Sequence, residues 1–164
     1  MVEHRKMTKE HAGCGVLVTS DTKTEKTDET GKHAIKLLEE VGHMVYAYEV
    51  VINDKRAIQE AVRRFLSDER IEVVITSGGT GISSKDRTVE AVTELLDKRI
   101  DGFGELFRRL SYEEIGGAAI LSRATAGNVG RKLIFSLPGS KGAMELGLKI
   151  LLPVLGHLLW EVNR

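Results

Sequence analysis

The chain has 164 residues, 41% of them hydrophobic and 29% charged, with 24 Lys plus Arg against 24 Asp plus Glu. That suits one domain with a sizeable core, and the zero net charge excludes a general attraction for nucleic acid or acidic membranes, so any anion site has to be built locally. Cys14 is the only cysteine, which excludes an internal disulfide and a cysteine-rich metal site and fits a reduced, cytoplasmic protein.

Residues 1–11 are polar, lack the apolar centre of a signal peptide and read as a flexible arm, leaving 12–164 as a single domain. No apolar run approaches the ~20 residues of a membrane span. Residues 12–20 read as a first strand, apolar enough to sit inside a parallel sheet. Residues 23–31 read as a mobile polar connection. The following helix runs to Val41, with Ala34, Leu37, Leu38 and Val41 inward and Gly42 as its stop. Residues 44–51 are a second strand. Asn53 and Asp54 then turn the chain into a helix whose Ile58, Ala61, Val62, Phe65 and Leu66 form an amphipathic stripe.

A third strand, 72–76, opens into a glycine-rich loop, and Val89, Val92, Leu95 and Leu96 mark the next helix. Strand and helix thus alternate three times, which predicts right-handed βαβ units and a mostly parallel sheet. Residues 100–104 read as a loop before a short helix at 105–112. Residues 118–122 read as a fourth strand and 132–137 as a fifth; Gly127 and Asn128 are a turn signal, so the two strands can form a hairpin. Pro138 to Ser140 end that strand, the rest to Trp160 is helical in pattern, and Pro153 restarts or kinks it. Asn and Gln are confined to Asn53, Asn128, Asn163 and Gln59 amid many Lys, Arg and Glu, a balance expected of a heat-adapted source.

The chemistry is expected at the carboxyl ends of the strands, where parallel sheets bind ligands. Ser20 and Asp21, Asn53 and Asp54, residues 77–88, and Pro138 to Ser140 all follow strands and can converge there. Gly78, Gly79 and Gly81 permit backbone angles that turn consecutive N–H groups into one concavity for an anion. Asp86 and Thr88 set a carboxylate and a hydroxyl beside it. A cradle with a carboxylate suggests phosphate with a divalent cation. The alternative is a tight turn in which Asp86, like Asp54, caps a helix. The histidines have no metal-ligand spacing, and there is no Gly-x-Ser-x-Gly elbow or Walker lysine, which argues against a zinc enzyme, a serine hydrolase and a P-loop NTPase.

Thr-Ser-Gly-Gly-Thr-Gly at 76–81, followed by Asp86 and Thr88, resembles the molybdopterin-binding family of molybdenum cofactor biosynthesis, which includes bacterial B-type and Mog-type proteins and the G domain of gephyrin. The likeness extends from Gly13 to Trp160 through Thr19 to Asp21, Asp54, Gly-Phe-Gly-Glu at 102–105, Ala-Ile-Leu-Ser-Arg at 119–123 and Pro-Gly-Ser at 138–140. The short chain is most similar to the B-type. The resemblance implies a three-layer α/β domain, helices on both faces of the sheet, that binds molybdopterin and Mg-ATP. Active members transfer AMP from ATP to the terminal phosphate of molybdopterin, release pyrophosphate and pass the product to a metal-insertion protein.

On that resemblance Asp86 binds or orients Mg²⁺ and Asp54 is a second carboxylate on the metal or its water. Ser77, Gly78, Gly79, Thr80, Gly81 and Thr88 form the phosphate cradle. Ser20, Asp21, Pro138, Gly139 and Ser140 line the site, and Glu105, Ser122 and Arg123 serve substrate binding, packing or subunit contacts. The alternatives are a carrier of molybdopterin without chemistry and an oligomeric scaffold. Self-association as trimers or hexamers is expected from the family likeness and from the last helix, where Leu151, Leu152, Val154, Leu155, Leu158, Leu159 and Trp160 leave little polar face.

Overall fold

Residues 9–164 are described here, in a computed structural model. In chain order they form β1 (Gly13–Thr19), α1 (Thr30–Glu40), β2 (Met44–Val51), α2 (Lys55–Ser67), β3 (Val73–Ser77), α3 (Thr88–Thr93), β4 (Lys98–Arg99), α4 (Asp101–Ile115), β5 (Thr125–Val129), β6 (Lys132–Leu137), α5 (Lys141–Leu151) and α6 (Leu155–Asn163). Among these residues one six-stranded sheet has the order β2-β1-β3-β6-β5-β4. β1 is parallel to β2 and β3, and β3 to β6, while β5 runs antiparallel to both β6 and β4.

Side chains alternate across the sheet, so each central strand feeds two cores. Val73 and Ile75 join Cys14, Val16 and Val18 beneath α1, α4, α5 and α6, where Leu38, Phe107, Met144, Leu151 and Leu159 are buried. Leu17, Val74 and Ile134 face the other way, onto Ile58, Ala61, Val62 and Phe65 of α2 and Ala91 and Val92 of α3. Each fully buried large side chain contributes about 1.5–3 kcal/mol. Two helical layers about a mostly parallel sheet are therefore what the alternating pattern demands, and the expected three-layer α/β architecture is present.

The α2 helix shows how locally this is written. Asp54 at its N-cap accepts the Ala57 N–H at 2.9 Å. At the other end Lys132 Nζ donates to the carbonyls of Leu66 and Asp68, both at 2.7 Å, placing a cation where the helix dipole is negative. Cys14, inside β1, is inert: burial, then the nearby Glu72, pushes its thiol up to about 12.

Several boundaries differ from the sequence reading. Of the expected arm, residues 1–8 lie outside the described residues, but Lys9 already pairs with Glu72 at 2.5 Å. The polar stretch before α1 is tied down at its end, where Asp28 is fully buried and accepts the Gly31 N–H and, at 2.6 Å, the Tyr48 hydroxyl, while residues 23–27 are exposed. Val41 is exposed past the end of α1. Residues 100–104, read as a loop for their glycines, begin α4, because burying Phe103 and Phe107 outweighs the helix cost of Gly102 and Gly104.

Residues 118–122 do not form a strand. Gly116–Leu121 is a 3₁₀ helix that leaves Ile120 80% exposed. The hairpin joins β5 to β6 instead, with its turn at Gly130 (φ +56°). Gly127, taken as turn, lies in β5, where a Cβ would meet the Lys98 carbonyl at 2.4 Å. The final helix breaks at Leu152–Val154, which lets α5 and α6 both turn inward and bury Leu151, Leu155 and Leu159. Within Lys141–Asn163 an 18-residue stretch reaches mean hydropathy 1.4, enough by length and composition alone to match a membrane span, although Glu145 and Lys149 interrupt the apolar run. The buried stripe of these helices serves the sheet's core.

Two predictions follow from buried polar pairs. Tyr48→Phe removes a donor from the buried Asp28 carboxylate and should cost about 1–3 kcal/mol, read as a lower urea midpoint at unchanged slope. His43 is buried and its Nδ1 accepts the Ala12 N–H at 3.1 Å, a bond that only the neutral ring can make. Burial, then His11 nearby, holds its pKa below the ordinary 6.5. The unfolded chain therefore takes up this proton first, and the contribution is present above pH 6.5 and lost as pH falls below it. Thermal midpoints measured from pH 7.5 down to 5 should fall, and His43→Asn, which keeps an acceptor and cannot titrate, should flatten that part of the curve.

Candidate active site

The loop after β3 is shaped by what its carbonyls are allowed to do. Gly78 and Gly79 adopt φ of +95° and +68°, and a Cβ on Gly78 would lie 2.4 Å from the Thr19 carbonyl. Only glycine fits that turn. The Gly79 carbonyl accepts the Thr88 N–H at 3.0 Å. The Thr80 and Gly81 carbonyls accept Arg123 Nε at 3.1 and 3.0 Å, and Gly81 also accepts Nη2 at 2.6 Å. With the carbonyls tied back, the N–H groups of Gly79, Thr80, Gly81 and Ile82 donate to nothing else among the described residues.

This loop lines a cleft of about 360 Å³ whose lining comprises Gly78 to Gly81 and Asp86, the adjoining Pro138 to Ser140 with Ala143, and Phe107, Ser111, Ile115, Leu121 and Ser122. Asp86 Oδ2 accepts the Ser83 N–H at 2.9 Å, while Oδ1 carries no hydrogen bond. Ser140 caps α5, accepting the Ala143 N–H at 3.1 Å, and the Gly139 and Ser140 N–H groups are also unengaged. Two sets of unengaged backbone donors thus lie side by side along one cleft, Gly139 packing against Gly78, with the Asp86 carboxylate also on its lining. Thr30 Oγ1 donates to the Gly139 carbonyl at 3.2 Å and so ties the start of α1 to this turn.

The expected site residues divide into three groups. Gly78, Gly79, Thr80, Gly81, Asp86, Ser122, Pro138, Gly139 and Ser140 line the cleft. Ser20, Asp21 and Asp54 follow the ends of β1 and β2 and are not among the residues lining the cleft. Asp21 Oδ1 accepts the Asn53 N–H at 2.8 Å, and Asn53 Oδ1 accepts the Arg87 N–H at 3.1 Å, so Asn53 stitches these strand ends to the loop. Ser20 caps its own turn, accepting the Lys23 N–H.

The third group supports the loop or lies elsewhere. Thr88 is buried and donates to Thr19 Oγ1 at 3.2 Å. Ser77 is closed off from solvent, and its hydroxyl, like those of Thr76 and Ser136, has no partner among the described residues. Arg123 spends its donors on loop carbonyls and on Glu90. Glu105 borders a separate, mixed-charge hollow with Arg99, Asp101 and Arg108. The sequence reading missed Asn53's linking role, Glu90 and the apolar wall of Phe107, Ile115 and Leu121. The wall's signal was present in the α4 stripe, but its direction depended on the hairpin placement.

For a divalent cation the donor set is sparse. Among the described residues no group of three or more His, Cys, Asp or Glu side chains is gathered at metal-binding distance. That fits Mg²⁺, which takes one or two carboxylates and completes its shell with water and substrate phosphates. Asp86 Oδ1 and the free oxygen of Asp54 are the groups with capacity to spare.

Residues 15–157 match the family model described as a probable molybdopterin binding domain. Molybdenum cofactor biosynthesis protein B of Bacillus cereus is 50% identical over 166 aligned positions, covering 100% of this chain and 98% of that protein. A crystal structure of a molybdenum cofactor biosynthesis protein B superposes with a TM-score of 0.91 at 51% identity, covering 94% of this chain and 97% of the other. The tungsten cofactor synthesizing protein MoaB from Pyrococcus furiosus superposes at 0.86 with 36% identity, over 95% and 99%. The chain belongs to the molybdopterin-binding-domain family, among the B-type cofactor biosynthesis proteins.

Proposed function

We propose that this protein acts in molybdenum or tungsten cofactor biosynthesis as a molybdopterin adenylyltransferase. The observation that carries the reading is the pair of unengaged N–H sets, of the glycine loop and of the turn before α5, on residues that line one cleft together with Asp86. Two donor sets suit a reaction between two phosphates. The relatives' names give the biosynthetic setting, with molybdopterin as the first substrate. ATP is the second.

In this reading a terminal phosphate oxygen of molybdopterin attacks the α-phosphorus of ATP. A new O–P bond forms, the bond from the α-phosphorus to the bridging oxygen breaks, and the electron pair leaves with pyrophosphate. The attacking monoester is largely ionised at neutral pH, so no general base is required, consistent with a cleft whose lining contains no histidine. The barrier is repulsion between anions. Gly79 to Ile82 and the α5 turn hold the phosphates by backbone donors fixed before substrate arrives, which stabilises developing charge and sets the line of attack. Phe107, Ile115 and Leu121 give the pterin an apolar wall. Mg²⁺, held by Asp86 with Asp54 reaching it or its water, would supply charge neutralisation at the leaving pyrophosphate.

Self-association as a trimer or hexamer and hand-over to a metal-insertion protein belong to the same proposal, with a cytoplasmic setting. Exposed apolar surface supports self-association: Ile82, Tyr112, Ile115 and Ile120 are 71, 63, 59 and 80% exposed. Light scattering should return a multiple of the monomer mass at micromolar concentration, and a monomer would refute it. A carrier without chemistry is the second reading, favoured by the lack of a ready-made carboxylate cluster. Pyrophosphate release from molybdopterin and Mg-ATP separates the two.

Asp86→Asn tests the mechanism most directly. Asparagine keeps an acceptor for the Ser83 N–H but cannot supply the charge a hard cation requires. Turnover should drop by about two orders of magnitude or more, with the thermal midpoint and molybdopterin binding nearly unchanged. Near-normal product formation would remove Asp86 from catalysis. Asp54→Ala should cost about 1 kcal/mol of capping and also slow turnover, whereas Asp54→Asn restores the cap alone. Full activity in the Asn variant would leave Asp54 as a cap only.

A further inference from the structure

We infer that Arg123, held by Glu90, is the positioning residue of the anion loop: it grips the loop's carbonyls from behind and does not bind substrate. The inference rests on the anion-binding reading of this loop. Arg123 follows the 3₁₀ helix and reaches across to residues 42 and 43 positions earlier in the chain. Its Nε bridges the Thr80 and Gly81 carbonyls, Nη2 adds a second bond to Gly81, and Nη1 pairs with Glu90 on α3. In a trans peptide the C=O and the next N–H point in opposite directions. Holding the Thr80 and Gly81 carbonyls on the protein side therefore sends the Gly81 and Ile82 N–H groups the other way. The guanidinium also polarises those two peptides in the sense that favours an anion.

Glu90 completes the arrangement. The Arg123 guanidinium beside it holds its carboxyl below the usual carboxylate range, so the pair stays charged at neutral pH. The carboxylate offsets the arginine's charge and leaves its planar fork as a rigid template for two carbonyls and a carboxylate. A lysine keeps the charge but cannot hold those directions at once. The pair is about one-third exposed on the arginine side, where an ion pair alone contributes little to stability. Its removal should therefore be felt in the loop's order more than in the fold's stability.

The test uses the full-length chain, inorganic pyrophosphate as the probe in calorimetric titration, and thermal midpoints in parallel. R123K should weaken pyrophosphate binding about tenfold or more while moving the midpoint by only a few degrees. E90Q, which retains the arginine but loosens it, should weaken binding several-fold and keeps the test open if R123K does not fold. If R123K or E90Q binds as tightly as the native protein, the inference is overturned. A native protein that binds no pyrophosphate overturns it as well, since there is then no anion loop to position. A native protein that binds pyrophosphate in the Arg123-dependent way yet forms no adenylylated molybdopterin supports the inference and sinks only the catalytic proposal.

Discussion

Everything in the site depends on the parallel pairing of β3 between β1 and β6. In that register Ser77 lies against Val18 on one side and Leu137 on the other, so three strands end nearly level. The chain must leave β3 there with its backbone partners exhausted. It satisfies its carbonyls inward, onto Thr88 and Arg123, and leaves its N–H groups outward. The same level edge brings Pro138 to Ser140, at the end of β6, alongside the loop. A one-residue slip of β3 would bury Thr76 and Ser77 on the wrong faces and dismantle both donor sets together.

The two cores divide the labour. Beneath α1, α4, α5 and α6 the larger cluster, with Phe103 set edge-on against Phe135 at 5.1 Å, supports the cleft's apolar wall. Beneath α2 and α3 the smaller one anchors the helices whose starts carry Asp54 and Glu90. The cleft thus lies over a seam between two packed layers. Arg123 ties the glycine loop to α3, and Asn53 ties the ends of β1 and β2 to the start of α3.

Much of this was legible in the residues themselves. β1, β2 and β3 announce themselves by apolar, β-branched runs, and α2 by its stripe and its capping aspartate. The glycine loop was legible because Gly78 and Gly79 take positive φ, which favours glycine. What misled was local chemistry overruled by distant packing. Gly102, Gly104 and Gly127 read as breaks, yet Phe103 and Phe107 pull the first two into α4, and the close approach of β4 demands the third. Thr88, Ser77 and Arg123 look like substrate contacts in one dimension. Their actual partners, Thr19, a closed sheet end and the loop's own carbonyls, lie far away in sequence or are set only by the sheet order.

The outward N–H groups have a consequence for how the cleft meets its surroundings. A site built from lysines attracts anions over a distance and weakens steeply as salt screens those charges. Here the donors are peptide dipoles fixed in place, in a chain of zero net charge. Their field fades within a few ångströms and has no diffuse ionic cloud to displace. On the proposed reading these donors would do little to draw phosphates in from bulk water and would discriminate at contact, by shape and hydrogen bonding, leaving any salt-sensitive attraction to the bound cation.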